Sequence, residues 1–161
     1  MRWLAVRLPS RRAAGVLIVC CGLLLFTAGC SWFGPTKTAL RGVTVIAQNG
    51  ANNASATELD FIFVYDATSA AMLPRTGPDW FARRAVLLTS LGPKIDTVSV
   101  QLPPNQSSAP VPLPARYKKA LVVYCYVNFV APAGQGVADL TQYKRVVITL
   151  GPQTVTYDGA Q

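Results

Sequence analysis

Residues 58–66 (ELDFIFVYD) constrain the fold more tightly than any other segment, because they alternate strictly. Leu59, Phe61, Phe63 and Tyr65 share one face, while Asp60, Ile62 and Val64 share the other. A period of two belongs to an extended strand, and the large apolar set on one side predicts a half-buried strand lying on a core. The same period recurs along the chain. Residues 40–48 (LRGVTVIAQ) alternate around Val43, Val45 and Ala47, and residues 95–102 (IDTVSVQL) place Val98, Val100 and Leu102 inward. Residues 142–150 (QYKRVVITL) carry Val146 and Ile148 on one face, and residues 153–157 (QTVTY) can close a sheet. Residues 117–129 (YKKALVVYCYVNF) are apolar on both faces across their middle, as a central strand requires.

Turn chemistry separates these runs. Residues 49–57 (NGANNASAT) form a polar loop without a hydrophobic anchor, and residues 131–139 form a Gly/Pro loop. Five prolines among residues 103–115 demand a loop or an extended segment along a sheet edge. Residues 67–78 read as a loop, after which Asp79 caps a short helix starting at Trp80. Trp80, Arg83, Arg84 and Leu87 fall at mixed spacing, so this helix is expected to last two turns before residues 85–89 become extended. Six or seven strands with one short helical insertion imply an all-β, antiparallel two-sheet β-sandwich.

The N-terminus has a different character. Arg2, Arg7, Arg11 and Arg12 precede residues 13–29 (AAGVLIVCCGLLLFTAG), an uncharged run of 17 residues followed by Cys30. A positive n-region, a short apolar h-region and small residues at a cut form an export signal, and the run lies at the lower edge of what spans a bilayer as an uncleaved anchor. Thr27-Ala28-Gly29-Cys30 resembles the lipobox of bacterial lipoproteins, with Thr27 where Leu is usual. The resemblance implies that Cys30 is acylated, with palmitate among its chains, and becomes the first residue of the mature protein. Ser31 in place of Asp then implies outer-membrane delivery. The expected organisation is a signal peptide over 1–29, a lipidated tether over 30–39 and a sandwich over 40–161.

Removing 1–29 alters the charge balance. The full chain has 15 Lys+Arg against 7 Asp+Glu; export removes four arginines and no acid, which leaves a net charge of +4. That is modest for a nucleic-acid binder. Arg83-Arg84, Lys118-Lys119 and Lys144-Arg145 are expected near strand ends, solubilising an edge or facing anionic lipid. The chain has no His, which removes the commonest general base and metal ligand. Its seven carboxylates are scattered, no Gly-rich phosphate loop or metal cluster is visible, and Cys125 lies in an apolar run as a core residue. No enzyme, cofactor, metal, nucleic acid or small-molecule substrate is expected.

The order of these features suggests a family. A lipobox, a tether, a sandwich with a helical insertion beginning Asp79-Trp80-Phe81, and the strand Ala115-Arg116-Tyr117-Lys118-Lys119-Ala120-Leu121-Val122-Val123-Tyr124 together resemble the type VI secretion outer-membrane lipoproteins of the TssJ type. Tyr143-Lys144-Arg145-Val146-Val147 matches their aromatic-basic strand, whereas residues 139–142 replace their usual basic segment. The resemblance implies a transthyretin-like sandwich anchored to the outer membrane and facing the periplasm. It also implies binding to the periplasmic part of an inner-membrane IcmF-like (TssM-type) subunit, and assembly of the secretion membrane complex. Carried over by position, the contact residues are Asn49, Gly50, Asn52 and Asn53 in the first inter-strand loop. The alternative is a pilotin or assembly factor of another envelope machine built on the same fold.

Overall fold

Six of the strands come from the alternating and apolar runs, and the proline-rich and Gly/Pro segments add two short ones, giving eight in two four-stranded sheets; the computed structural model describes residues 37–161. The signal peptide, Cys30 and tether residues 31–36 lie outside the described residues. One sheet has the order β4-β1-β7-β8, built from β1 (Gly42–Ala47), β4 (Gln106–Ser107), β7 (Arg145–Leu150) and β8 (Val155–Ala160). The other has the order β3-β2-β5-β6, built from β2 (Thr57–Val64), β3 (Ile95–Leu102), β5 (Val122–Val127) and β6 (Ala138–Asp139). The two-sheet sandwich expected from periodicity is present. Its pairing is antiparallel except at the centre of the first sheet, where β1 runs parallel to β7 in the register Val43–Val146 to Ala47–Leu150. Side-chain alternation records which face is buried and carries no information on the direction of the neighbouring strand.

Between the sheets, Val43, Val45, Leu59, Phe61, Phe63, Val123, Cys125, Val146 and Ile148 form one core cluster. Cys125 is fully buried there, and that burial pushes its thiol pKa up, as expected of a packing residue rather than a nucleophile. The folded part also begins slightly earlier than residue 40. Thr38 N donates to the Ala120 carbonyl at 2.9 Å and Ala39 N to the Thr141 carbonyl at 2.8 Å.

The helical content departs from expectation. In place of a loop over 67–78 and a two-turn helix, the chain forms α1 (Ala67–Met72) and a four-turn α2 (Gly77–Leu91), which continues through residues 85–89. Asp66 caps α1 through the Ser69 amide, and Thr76, not Asp79, caps α2. Thr76 and Asp79 make a reciprocal pair, with Asp79 N donating to Thr76 Oγ1 at 3.3 Å and Thr76 Oγ1 to Asp79 Oδ2 at 2.6 Å. The inward stripe of α2 is Trp80, Arg84, Leu87 and Leu91, a helical spacing in which an arginine occupies an apolar place.

That arginine has a buried target. Helix α2 covers the outer face of the second sheet, so β2 is buried on both sides and not on one. Asp60, fully buried on β2, accepts from Trp80 Nε1 at 2.8 Å and Ser99 Oγ at 2.6 Å, and Arg84 Nε lies 3.1 Å from its Oδ2. Arg84 also donates to Glu58 at 2.5 Å and to Ser99 at 2.8 Å. The Trp80 ring stacks on Tyr126 at 4.9 Å between centroids, and Tyr126 donates its hydroxyl to the Pro74 carbonyl at 2.8 Å. Around this network lie Ile62, Val64, Leu73, Leu87 and Ile95, which form a second core cluster. The carboxylates are therefore not simply scattered at turns: Glu58 and Asp60 converge on Arg84, in a structural role.

Two substitutions test this docking. Asp60→Ala should destabilise the fold by about 3–5 kcal/mol, since Arg84 and Trp80 Nε1 lose a buried acceptor. At Gly77, where α2 starts against β5, an added Cβ would collide with the Val127 carbonyl oxygen. Gly77→Ala should therefore cost about 1–3 kcal/mol despite the better helix propensity of Ala. Chemical denaturation of the two variants checks both values.

Candidate partner-binding surface

The loop joining β1 to β2 holds its backbone in an uncommon conformation. After Gly50 (φ 73°), the turn Ala51–Ala54 places Asn52 (φ 50°), Asn53 (φ 56°) and Ala54 (φ 60°) in the left-handed region. Each such L-residue costs about 1–2 kcal/mol, least for Asn, whose short polar side chain bonds locally. The compensation comes from neighbouring loops. Asn52 N donates to the Gly151 carbonyl at 2.9 Å and Asn53 N to the Pro152 carbonyl at 3.1 Å. The Asn52 side chain reaches the other sheet, with Nδ2 donating to the Asn128 carbonyl at 3.2 Å and Oδ1 accepting from Val130 N at 2.7 Å.

One asparagine thus ties three loops together at one end of the sandwich. Asn105 N, donating to the Gln48 carbonyl at 3.2 Å, adds a fourth. The segments that meet there, 48–56, 103–105, 128–136 and 151–154, contain no Asp, Glu, Lys or Arg, and the exposed Arg75 and Asp79 flank them, since Val137 N donates to the Arg75 carbonyl at 3.2 Å and Gly77 N to the Gln135 carbonyl at 2.7 Å. The exposed surface of these segments is made of Gln48, Asn49, Asn53, Asn105, Asn128, Gln153, small residues and prolines. In the middle of it Val130 is 60% exposed. A surface of amides and apolar groups with charges only at its margin, on a cross-braced scaffold, can bind another protein with little desolvation of charge and little ordering cost.

The four loop residues named from the resemblance divide here. Asn49 and Asn53 are exposed and Gly50 is half-buried, so all three reach the surface. Asn52 does not: it is 2% exposed and its amide is engaged by Asn128 and Val130, so it shapes the loop and offers no polar atom to a partner. Its burial also gives the 49–57 loop the internal anchor that a polar sequence did not suggest. Trp80 is wholly buried and Phe81 packs partly against the second core cluster, so neither marks a further contact patch.

The opposite end of the sandwich is charged. Arg116 forms a two-pronged pair with Asp96, Nε to Oδ2 at 2.9 Å and Nη2 to Oδ1 at 2.8 Å. Its guanidinium lies 4.0 Å from the Tyr65 ring centre, and the Tyr65 hydroxyl donates to Asp96 Oδ2 at 2.6 Å. The Arg116 hydrogen bonds hold the Asp96 carboxyl below the usual carboxylate range, and burial pushes the Tyr65 pKa up. This cluster joins the segment before β5 to the start of β3. Periodicity could not reveal it, because its three members come from three separate segments.

No protein-family model matches the chain, and no curated protein sequence matches it. Solved structures do. The T6SS lipoprotein TssJ1 from Pseudomonas aeruginosa superposes with a TM-score of 0.53 at 16% identity, covering 80% of this chain and 98% of that one. Serratia marcescens Lip, a membrane bound component of the type VI secretion system, gives 0.55 at 10% identity, covering 78% of this chain and 100% of that one. The chain has the TssJ lipoprotein fold. A chain in the structure of the T6SS protein TssM C-terminal domain (869-1107) from EAEC is also similar, with a TM-score of 0.51 at 17% identity, covering 73% of this chain and 98% of that one. The β-sandwich expected from sequence and this likeness agree across the described domain.

Two predictions follow from the geometry. Asn52→Ala should lower stability by about 2–4 kcal/mol, since it orphans the Val130 amide and places Ala at a left-handed position; thermal melts of variant and parent measure it. The Asp96 pKa is depressed in the folded chain, so its pairing with Arg116 stabilises the fold above pH of about 4, the ordinary Asp value, and that share is lost as pH falls further. Arg116→Met should therefore flatten the acid limb of the stability–pH curve below pH of about 4 and lower the plateau above it.

Proposed function

We propose that this protein is a lipid-anchored envelope lipoprotein of the type VI secretion membrane complex. Cys30 holds it at the periplasmic face of the outer membrane, and the Asn52 end of the sandwich binds the periplasmic part of an inner-membrane IcmF-like (TssM-type) subunit. The observation that carries the reading is the fold likeness, which takes in 98% of TssJ1 and 100% of Lip. Support for the anchor comes from the Thr27-Ala28-Gly29-Cys30 sequence, and support for the contact end from the braced, charge-free loops around Asn52. The role is structural: binding joins two membranes, and no reacting group is required.

The contact residues under this reading are Asn49, Gly50 and Asn53 from the first loop and Val130 from the loop after β5. Val130→Glu should weaken capture of the IcmF-like periplasmic segment by the detergent-solubilised full chain at least tenfold, since a carboxylate would then be buried in an apolar contact. Its melting temperature should stay unchanged, because the side chain is exposed. Equal capture by variant and parent would remove Val130 from the contact, and failure of the parent to bind at micromolar concentration would overturn the partner assignment. Cys30→Ser should abolish incorporation of labelled palmitate and release the protein from membranes. Membrane retention of that variant would instead support an uncleaved anchor.

A further inference from the structure

The lysines of the domain are gathered at one end of its long axis, while Arg75 and Asp79 lie towards the other. All five lysines of the chain, Lys37, Lys94, Lys118, Lys119 and Lys144, lie with Arg41, Arg116 and Arg145 at the end remote from the Asn52 turn. Backbone bonds fix this grouping: Thr38 N to the Ala120 carbonyl at 2.9 Å, Arg41 N to the Lys144 carbonyl at 2.8 Å, Tyr65 N to the Lys94 carbonyl at 3.0 Å. Seven of the eight are exposed, and Arg116 is the one held by a carboxylate.

Two of the acids at this end are engaged internally. Asp66 caps α1 and Asp96 pairs with Arg116 and Tyr65, while Asp139 and Asp158 are exposed, lie opposite Tyr124 and Val147 and accept only from the neighbouring Thr141 and Thr156. Lys144 Nζ donates to the Gln161 carbonyl oxygen at 2.9 Å. The other six exposed cations form no ion pair among the described residues. Between them opens a polar cleft of about 310 Å³ lined by Thr38, Ala39, Leu40, Arg41, Tyr117 and Lys118.

The described chain starts at this same end, and Lys37 stands seven residues beyond Cys30. Seven residues span at most about 25 Å, so a lipid on Cys30 keeps the cationic end within reach of the bilayer surface. We propose that this end is a basic collar that docks on anionic phospholipid headgroups of the membrane carrying the lipid, with Arg41 and Lys118 flanking the cleft that receives a headgroup phosphate. The inference rests on the anchoring at Cys30. Its consequence is orientation: the collar sets the sandwich upright, and the Asn52 end points away from the membrane towards whatever it binds.

The test reconstitutes the lipidated mature protein into vesicles of neutral phosphatidylcholine, or of phosphatidylcholine with about a third phosphatidylglycerol, and follows lysine acetylation by mass spectrometry. Flotation reports the anchor, and labelling reports the collar. Expected are flotation with both vesicles and labelling of Lys37, Lys118, Lys119 and Lys144 at least fivefold slower on the anionic ones, with protection lost at high salt. The double substitution Lys118→Glu, Lys119→Glu, on exposed side chains, should float equally well and lose the protection of Lys37 and Lys144. Flotation with equal labelling on both vesicles would overturn the collar and leave the anchor standing. Flotation with neither would overturn the anchor and the collar together.

Discussion

A single buried carboxylate organises the second half of this architecture. Asp60 sits in the middle of a strand whose neighbours on the same face are Ile62 and Val64, where an unpaired charge would be prohibitively unstable. It is tolerated because helix α2 brings the Trp80 indole and the Arg84 guanidinium to it, and β3 brings Ser99. The carboxylate therefore dictates where α2 lies and in which rotation about its axis. Apolar packing of Leu87, Leu91 and Ile95 fills the space around the network without specifying it as sharply. The outcome is a third layer on a two-sheet sandwich, and the outer face of that sheet becomes core instead of solvated surface.

The rigid middle allows the two ends to differ. At one end, Asn52 is spent entirely on holding three loops together, and those loops carry no charge of their own. At the other, the cations collect beside the point where the chain leads back towards Cys30.

Much of the sheet framework was legible because alternation is a local signal. Val43, Val45 and Ala47 lie inward as their spacing indicates, and β3 spans the residues 95–102 read from its pattern. The helices were less legible for definable reasons. Arg84 occupies a place in the inward stripe of α2, so the apolar spacing looked broken at the residue that binds Asp60. In α1, the short run Ala67–Met72 offers no apolar stripe and depends on the Asp66 cap. The loop around Asn52 was placed correctly in sequence and misread in character, because a polar residue whose side chain replaces two backbone partners looks the same in a sequence as one in solvent.

By itself the sequence determined the alternating strands and the burial of Cys125. Each of these depends on residue type and near neighbours along the chain. Tertiary structure alone decided the parallel pairing of β1 with β7, the second core beneath α2, the internal role of Asn52 and the gathering of the lysines at one end. All four depend on which distant segments meet, and that is settled by satisfying buried polar groups across the whole domain, a condition that no local window of sequence contains.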